Sequence, residues 1–138
     1  MDDTYNRIDD SIKKIDVRST LEKHKDEYLY YKSDHHWTSL ASYYSYQTLA
    51  SSFKLDKTKN RIIHLPVSNS FEGTLANKTG SLKIKDEIDI YVPKTETDYV
   101  VTDESTNKKS RTIYHSEALE TKDNYAVFMG GNKSLFHI

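Results

Sequence analysis

The run Tyr30-Tyr31-Lys32-Ser33-Asp34-His35-His36-Trp37-Thr38-Ser39-Leu40 is where this chain concentrates chemistry: a carboxylate, two imidazoles, an indole and several hydroxyls in one short stretch. On an extended backbone, side chains two apart share a side. Asp34 and His36 are therefore expected on one face and His35 on the other. An Asp beside a His is the orienting half of an acyl-transfer triad: the carboxylate fixes the imidazole tautomer, and the second ring nitrogen takes the proton of a hydroxyl nucleophile. The competing reading is a helix-start cluster, with Asp34 capping backbone and His36 a structural imidazole. The same three residues are zinc-type donors. Adjacent imidazoles seldom converge on one ion, however, and His24, His64, His115 and His137 are scattered, so neither a metal nor a cofactor is expected.

These residues must be positioned by what flanks them. Tyr28-Leu29-Tyr30-Tyr31 reads as a buried strand, and Thr38 as the N-cap of a helix over 39–53 with Leu40, Tyr43, Tyr46 or Gln47, Ala50 and Phe53 on one stripe. The motif thus falls at a strand-to-helix turn, where α/β sheets gather ligands. Upstream, Tyr5, Ile8, Ile12 and Ile15 predict an amphipathic helix over 4–15, with Asp2 or Asp3 near its start. It runs into a short strand at Ile15-Asp16-Val17, followed by a helical turn or loop over 20–25.

Downstream, 54–61 reads as loop. Arg61 to Val67 reads as a strand that Pro66 ends or pushes to an edge. Residues 71–80 form a glycine-punctuated structured loop, and 86–92 alternate as a strand. Residues 99–102 and 111–115 form a hairpin around a solvated turn at Lys108-Lys109-Ser110-Arg111. Tyr125 to Met129 reads as a buried strand entering a turn at Gly130-Gly131-Asn132, where positive φ suits Gly and Asn.

Composition narrows the classes. The chain has 138 residues, enough for one domain. Its 20 Lys and Arg balance 21 Asp and Glu, which argues against a non-specific nucleic-acid binder. It has no cysteine, which excludes disulfides and thiolate metal sites. No apolar run is long enough to span a bilayer, and the first residues do not read as a signal peptide, which says little about where a longer parent protein resides. Its 11 tyrosines suit half-buried strands and ligand clefts, with packing on a small core the commoner use.

At Asp34-His35-His36-Trp37-Thr38 the chain resembles the bacterial DHHW family, named for that tetrapeptide. Three further segments carry the resemblance: Tyr43-Tyr44-Ser45-Tyr46-Gln47, Phe71-x-Gly73-Thr74-Leu75-x-x-Lys78-Thr79-Gly80 with Thr79 replacing the family's usual Ser, and Tyr125-Ala126-Val127-Phe128-Met129-Gly130-Gly131-Asn132. The blocks run from about residue 27 to the end. The lack of cysteine separates the chain from Asp-His-His-Cys palmitoyltransferases. The family is similar to SGNH-type O-acetyltransferase domains, whose Asp-x-His-Trp motif completes a triad with a serine in a Gly-Asp-Ser-like block.

The resemblance implies that Asp34 orients the imidazole, that His36 is the general base and that His35 fills the variable position. It implies an α/β fold, α+β as an isolated piece: part of an SGNH-hydrolase-like sheet with flanking helices and a hairpin-rich insertion. Within 1–138, an incomplete single domain, it implies an N-terminal helix and connection over 1–26 and strand, motif and helix over 27–53. The β-rich insertion then covers 54–120, and a strand and Gly-Gly-Asn turn cover 121–138.

This chain contains no Gly-Asp-Ser, so a C-terminally truncated and catalytically silent fragment is expected. The implied partners are an acyl donor and a polysaccharide acceptor in an extracytoplasmic setting, cell envelope or secreted, with no nucleic acid. An exposed sheet edge would allow self-association. The rival is a non-catalytic, envelope-associated carbohydrate-binding or scaffold domain. Trp37, Lys78 and Asn132 are weaker binding candidates. The competing readings are a core anchor for Trp37, a structural turn around Lys78, where no Walker pattern occurs, and a plain turn at Asn132.

Overall fold

The computed structural model describes residues 2–55, 62–80, 83–95, 98–132 and 135–138, without the side chains of Asp2 and Asp3. Helix α1 (Asp2–Arg7) and helix α2 (Arg18–Lys23) precede the motif, and helix α3 (Ser39–Ser52) follows it. Strands β1 (Ile62–Phe71) and β2 (Asp86–Pro93) flank helix α4 (Thr74–Thr79). Strands β3 (Val101–Asp103) and β4 (Lys108–Ser110), two 3-10 helices (Ser116–Glu120 and Asn124–Val127) and strand β5 (Phe136–His137) complete the order.

β1 and β2 pair antiparallel, His64 opposite Tyr91 and Phe71 opposite Asp86, with register shifts between Pro66 and Ser68 and again before Phe71. A second antiparallel sheet has the order β4-β3-β5. The fold is therefore a mixed α+β domain with two small antiparallel sheets. The SGNH-like α/β sheet expected from the resemblance is not found among the described residues.

α3 starts where Thr38 predicts, its hydroxyl accepting from the Ala41 N–H at 3.4 Å. The buried stripe differs from the one expected. Ala41, Ser45 and Ala50 are buried, while Tyr46, Leu49 and Phe53 are exposed. Small side chains let α3 lie close against α2, where Thr20 and Thr48 share a hydrogen bond of 2.9 Å, and against β2, where Ser39 donates to the Asp89 carbonyl at 2.5 Å. Leu21, Leu29 and Ala41 form one core cluster. Tyr31, Phe71, Ile88 and Val127 form the other, and burying such rings and branched chains supplies the main driving force.

Other elements depart from their local patterns. α1 stops at Arg7 instead of running to 15, and residues 15–17 are not a strand. The turn at Asp9, whose carboxylate takes the Ser11 N–H at 2.8 Å, ends the helical periodicity there. Tyr28–Tyr31 makes one isolated bridge, Tyr30 to Trp37, and not a strand. β1 continues through Pro66 because, among the described strands, it pairs only with β2, so the missing N–H can face an unpaired edge. The hairpin expected at 99–102 and 111–115 forms, but its second strand is 108–110, the segment read as a solvated turn; the turn itself is 104–107.

Tyr125–Val127 lies in a 3-10 helix, and only Phe128 bridges, to Tyr114. The cause is Asn124, whose amide donates to the Leu119 and Thr121 carbonyls at 2.8 Å and holds the two 3-10 helices together. The expected turn is present, with φ of 71° at Gly130 and 84° at Gly131. The loop expected at 54–61 and the strand start at Arg61 lie largely outside the described residues.

One glycine decides how the motif meets the rest. A Cβ on Gly73 would sit 2.3 Å from Asp34 Cβ and 2.6 Å from the Ser33 carbonyl oxygen. Gly73→Ala is expected to destabilise the chain by about 2–4 kcal/mol in equilibrium urea unfolding. A variant as stable as the parent would mean that this approach is looser than described.

Candidate functional site

The loop between Leu29 and Thr38 closes on itself. Tyr31 N–H donates to the His36 carbonyl at 3.3 Å, and Thr38 N–H to the Leu29 carbonyl at 2.8 Å. The loop is then tied down by Asp86, at the start of β2. Its carboxylate accepts from the Lys32 N–H at 3.0 Å, the Ser33 N–H at 2.6 Å, the Ser33 hydroxyl at 2.5 Å and the Tyr28 hydroxyl. Ser33 passes the constraint on. Its Oγ accepts the Gly73 N–H at 2.9 Å, and its carbonyl accepts the Leu75 and Ala76 N–H groups at 3.0 Å. This brings α4 against the next residue, Asp34.

Asp34 is 4 % exposed. One carboxylate oxygen accepts the His36 N–H at 3.0 Å and His36 Nδ1–H at 2.5 Å. The other accepts the Thr74 N–H at 2.7 Å and the Thr74 hydroxyl at 3.0 Å. Burial opposes the charge and is the largest single influence. The backbone N–H groups of Thr74 and His36, then the side chains of His36 and Thr74, together outweigh it, and the carboxyl is lowered to about 2. Asp86 is likewise lowered, burial again being opposed by its donors, led by the Ser33 hydroxyl.

A permanent carboxylate at Nδ1 assigns the proton of neutral His36 to that nitrogen and leaves the lone pair on Nε2. No described residue hydrogen-bonds Nε2. The ring is partly exposed and stacks on Tyr125 at 4.4 Å and 14°.

His35 does not point the other way. Its ring lies 3.9 Å from that of His36, and its Nδ1 is 2.9 Å from Thr74 Oγ1. The Thr74 hydroxyl proton goes to Asp34, so His35 Nδ1–H donates. The backbone bends through 32–36 instead of extending, which cancels the alternation assumed from sequence. Asp34, His35 and His36 consequently bring one ligand atom each within 4.8 Å of one another. The Asp34 oxygens already accept four hydrogen bonds, so a cation there would have to displace donors.

Trp37 is 38 % exposed and forms a wall, not a core anchor. Lys78 is exposed on the last turn of α4, and Asn132 is exposed beyond the turn; neither contacts the dyad. Sequence reasoning missed Ser33, Thr74 and Asp86. Asp86 carried a signal: it shares parity with the fully buried Ile88, and a carboxylate on an inward face needs partners.

Fold and site together define a small α+β domain presenting an oriented carboxylate–imidazole dyad. The sequence profile of DHHW proteins matches residues 2–138, and the chain belongs to that family. The crystal structure of a DHHW family protein from Eubacterium siraeum is similar, with a TM-score of 0.65 and 24% identity over 88% of this chain and 43% of that one. This likeness shows the fold, and the chain spans well under half of that protein's length. No curated protein matches the sequence. No helix among the described residues is long and apolar enough to cross a membrane.

The two lowered carboxyls set a pH dependence. Each is ionised in the folded chain where the unfolded chain binds protons, so each adds stability that is present above the ordinary carboxyl range and lost on acidification, for Asp34 as the pH falls through about 2. For Asp34 it amounts to about 2 kcal/mol. Urea midpoints of the wild type should fall steeply across that window. Those of Asp34→Asn should fall less, the gap between the two closing at the acid end; parallel curves would contradict the assignment.

Proposed function

We propose that this chain carries the base half of an SGNH-like acyl-transfer site acting on cell-envelope polysaccharide, outside the cytoplasm. The observation that carries the reading is the 2.5 Å contact from His36 Nδ1 to a permanently ionised Asp34, with Nε2 open. The support is the dyad and the resemblance in motif, not a shared sheet.

In the proposed reaction a serine from a part of the parent protein outside these 138 residues gives its proton to His36 Nε2 as its oxygen bonds the acyl carbon. The departing donor group takes that proton back. A sugar hydroxyl or water, deprotonated by the same nitrogen, then attacks the serine ester and releases the serine. Asp34 stabilises the imidazolium formed in each half. The second reading, a non-catalytic carbohydrate-binding or scaffold domain, is favoured by one fact: no described hydroxyl is hydrogen-bonded to His36 Nε2.

Turnover of a chromogenic acetyl ester by the full-length parent separates the two. His36→Ala should lower kcat/KM about a thousandfold or more, with Asp34→Ala close behind, while the 138-residue chain alone should give no turnover above buffer. Wild-type rates in both variants would leave only the second reading. Robust hydrolysis by the isolated chain, lost in His36→Ala, would place the nucleophile within these residues instead. Each described strand of the β1–β2 pair has only one strand neighbour, so light scattering of the isolated chain should show concentration-dependent self-association; a monomer at all concentrations would count against an open edge.

A further inference from the structure

Beside the dyad lies an open cleft of about 610 Å³ lined by Trp37, Tyr43, Tyr91, Tyr114 and Tyr125, with Tyr31 also among its lining residues. Tyr125 belongs to both places: one face of its ring stacks on His36, and it also lines the cleft. We propose that this cleft is the saccharide subsite and that its ligand is an uncharged sugar chain, not a uronate or other anionic glycan. The inference rests on the acyl-transfer reading for the purpose of the sugar, but not for its binding.

Three observations carry it. First, the walls are aromatic rings standing beside a catalytic-type base, and ring faces are the surfaces against which the C–H faces of sugar rings pack. Tyr43 and Tyr91 are stacked on each other at 5.2 Å and extend one continuous aromatic surface from α3 to β2.

Second, the Tyr31 ring is buried, wedged edge-on against Phe71 at 5.1 Å and Tyr125 at 6.3 Å, while its hydroxyl hydrogen-bonds no described residue and is reached by water at the cleft. The Tyr114 hydroxyl, by contrast, donates to the Tyr91 carbonyl at 2.8 Å. A polyol in the cleft would supply the partner that Tyr31 lacks, whereas an acyl chain would leave it unmet.

Third, among the described residues no Asp, Glu, Lys, Arg or His lines the cleft; its polar side-chain groups are all uncharged, namely tyrosine and serine hydroxyls and the Trp37 indole N–H. A carboxylated sugar would lose water there without gaining a cation, and the negative charge of Asp34 behind Tyr125 would oppose it.

Trp37 is the only tryptophan of the chain, so its fluorescence reports occupancy of this wall directly. Titration of the full 138-residue chain with cellohexaose and chitohexaose should shift that emission with saturation below about 10 mM, and a galacturonate hexamer should bind at least about tenfold more weakly. Tyr31→Phe keeps the ring and removes the oxygen; it should fold as the wild type by circular dichroism and lose about tenfold in affinity for the neutral hexamer that binds best. Tyr46→Ala, an exposed position on the cleft's α3 side, should weaken it about fivefold.

The proposal is overturned if neither neutral hexamer binds, if the uronate binds as well as the neutral chains, or if Tyr31→Phe binds unchanged. Absence of binding in this chain and in the full-length parent alike would mean that protein, not sugar, covers the cleft. Saturable binding of a neutral hexamer by a parent protein that fails to turn over acetyl esters would sink the acyl-transfer reading and leave this one standing.

Discussion

The Asp86 carboxylate holds the motif loop in place. A charged group this deeply buried is tolerable only if its lone pairs are filled, and Asp86 fills them with one phenol, one serine hydroxyl and two backbone N–H groups, all from residues 28–33. Two residues further along β2, Ile88 is fully buried in the aromatic core. One end of β2 therefore anchors the loop by polar contacts while its interior is locked by packing. The loop cannot drift without either stranding a carboxylate or opening the core. Both alternatives cost more than the entropy gained by releasing a few residues.

Asp34 repeats the device one step closer to the chemistry. Ser33 sits between the two carboxylates and is bonded to the first, while its neighbour Asp34 is bonded to α4 and His36. Among the described residues neither Asp34 nor Asp86 is matched by Lys or Arg; each is held ionised by hydrogen-bond donors. A cation at Asp34 would cancel the charge that the proposed imidazolium form of His36 would need. Neutral donors hold the carboxylate ionised and leave its field intact. This also explains the tightness at Gly73. The Thr74 N–H can reach Asp34 only if the residue before it has no side chain to hold α4 away.

What could be read from sequence was what depends on near neighbours. The Asp34–His36 pairing, the Thr38 cap and the positive-φ turn at Gly130 and Gly131 are each decided within a few residues. What could not be read depends on partners far along the chain. His35 was expected on the opposite face because extended geometry was assumed; hydrogen bonds between residues 33 and 86, and between residue 74 and residues 34 and 35, bend the backbone instead. Tyr125–Val127 is as apolar as any strand, yet Asn124 fastens it to the preceding 3-10 helix. The apolar period of Ile8, Ile12 and Ile15 suggested a longer helix, but Ile12 is exposed and periodicity without a surface to bury against does not sustain one.

The tyrosines around His36 bear on where the nucleophile can come from. Under the proposed acyl-transfer reading a phenol is the alternative to a serine nucleophile, and Tyr125 is in ring contact with His36. To attack, it would have to ionise readily. Burial, and then the charge of Asp34, push Tyr125 upward, and burial pushes Tyr31 upward as well, with the Tyr125 phenol and nearby carboxylates adding to it. The same Asp34 that fixes the His36 tautomer makes its tyrosine neighbours worse nucleophiles. These phenols therefore stay neutral at physiological pH, as groups that give and take hydrogen bonds along a cleft. On the proposed reading the group that delivers its proton to His36 Nε2 comes from a different segment, and the partly exposed imidazole leaves that segment room to approach.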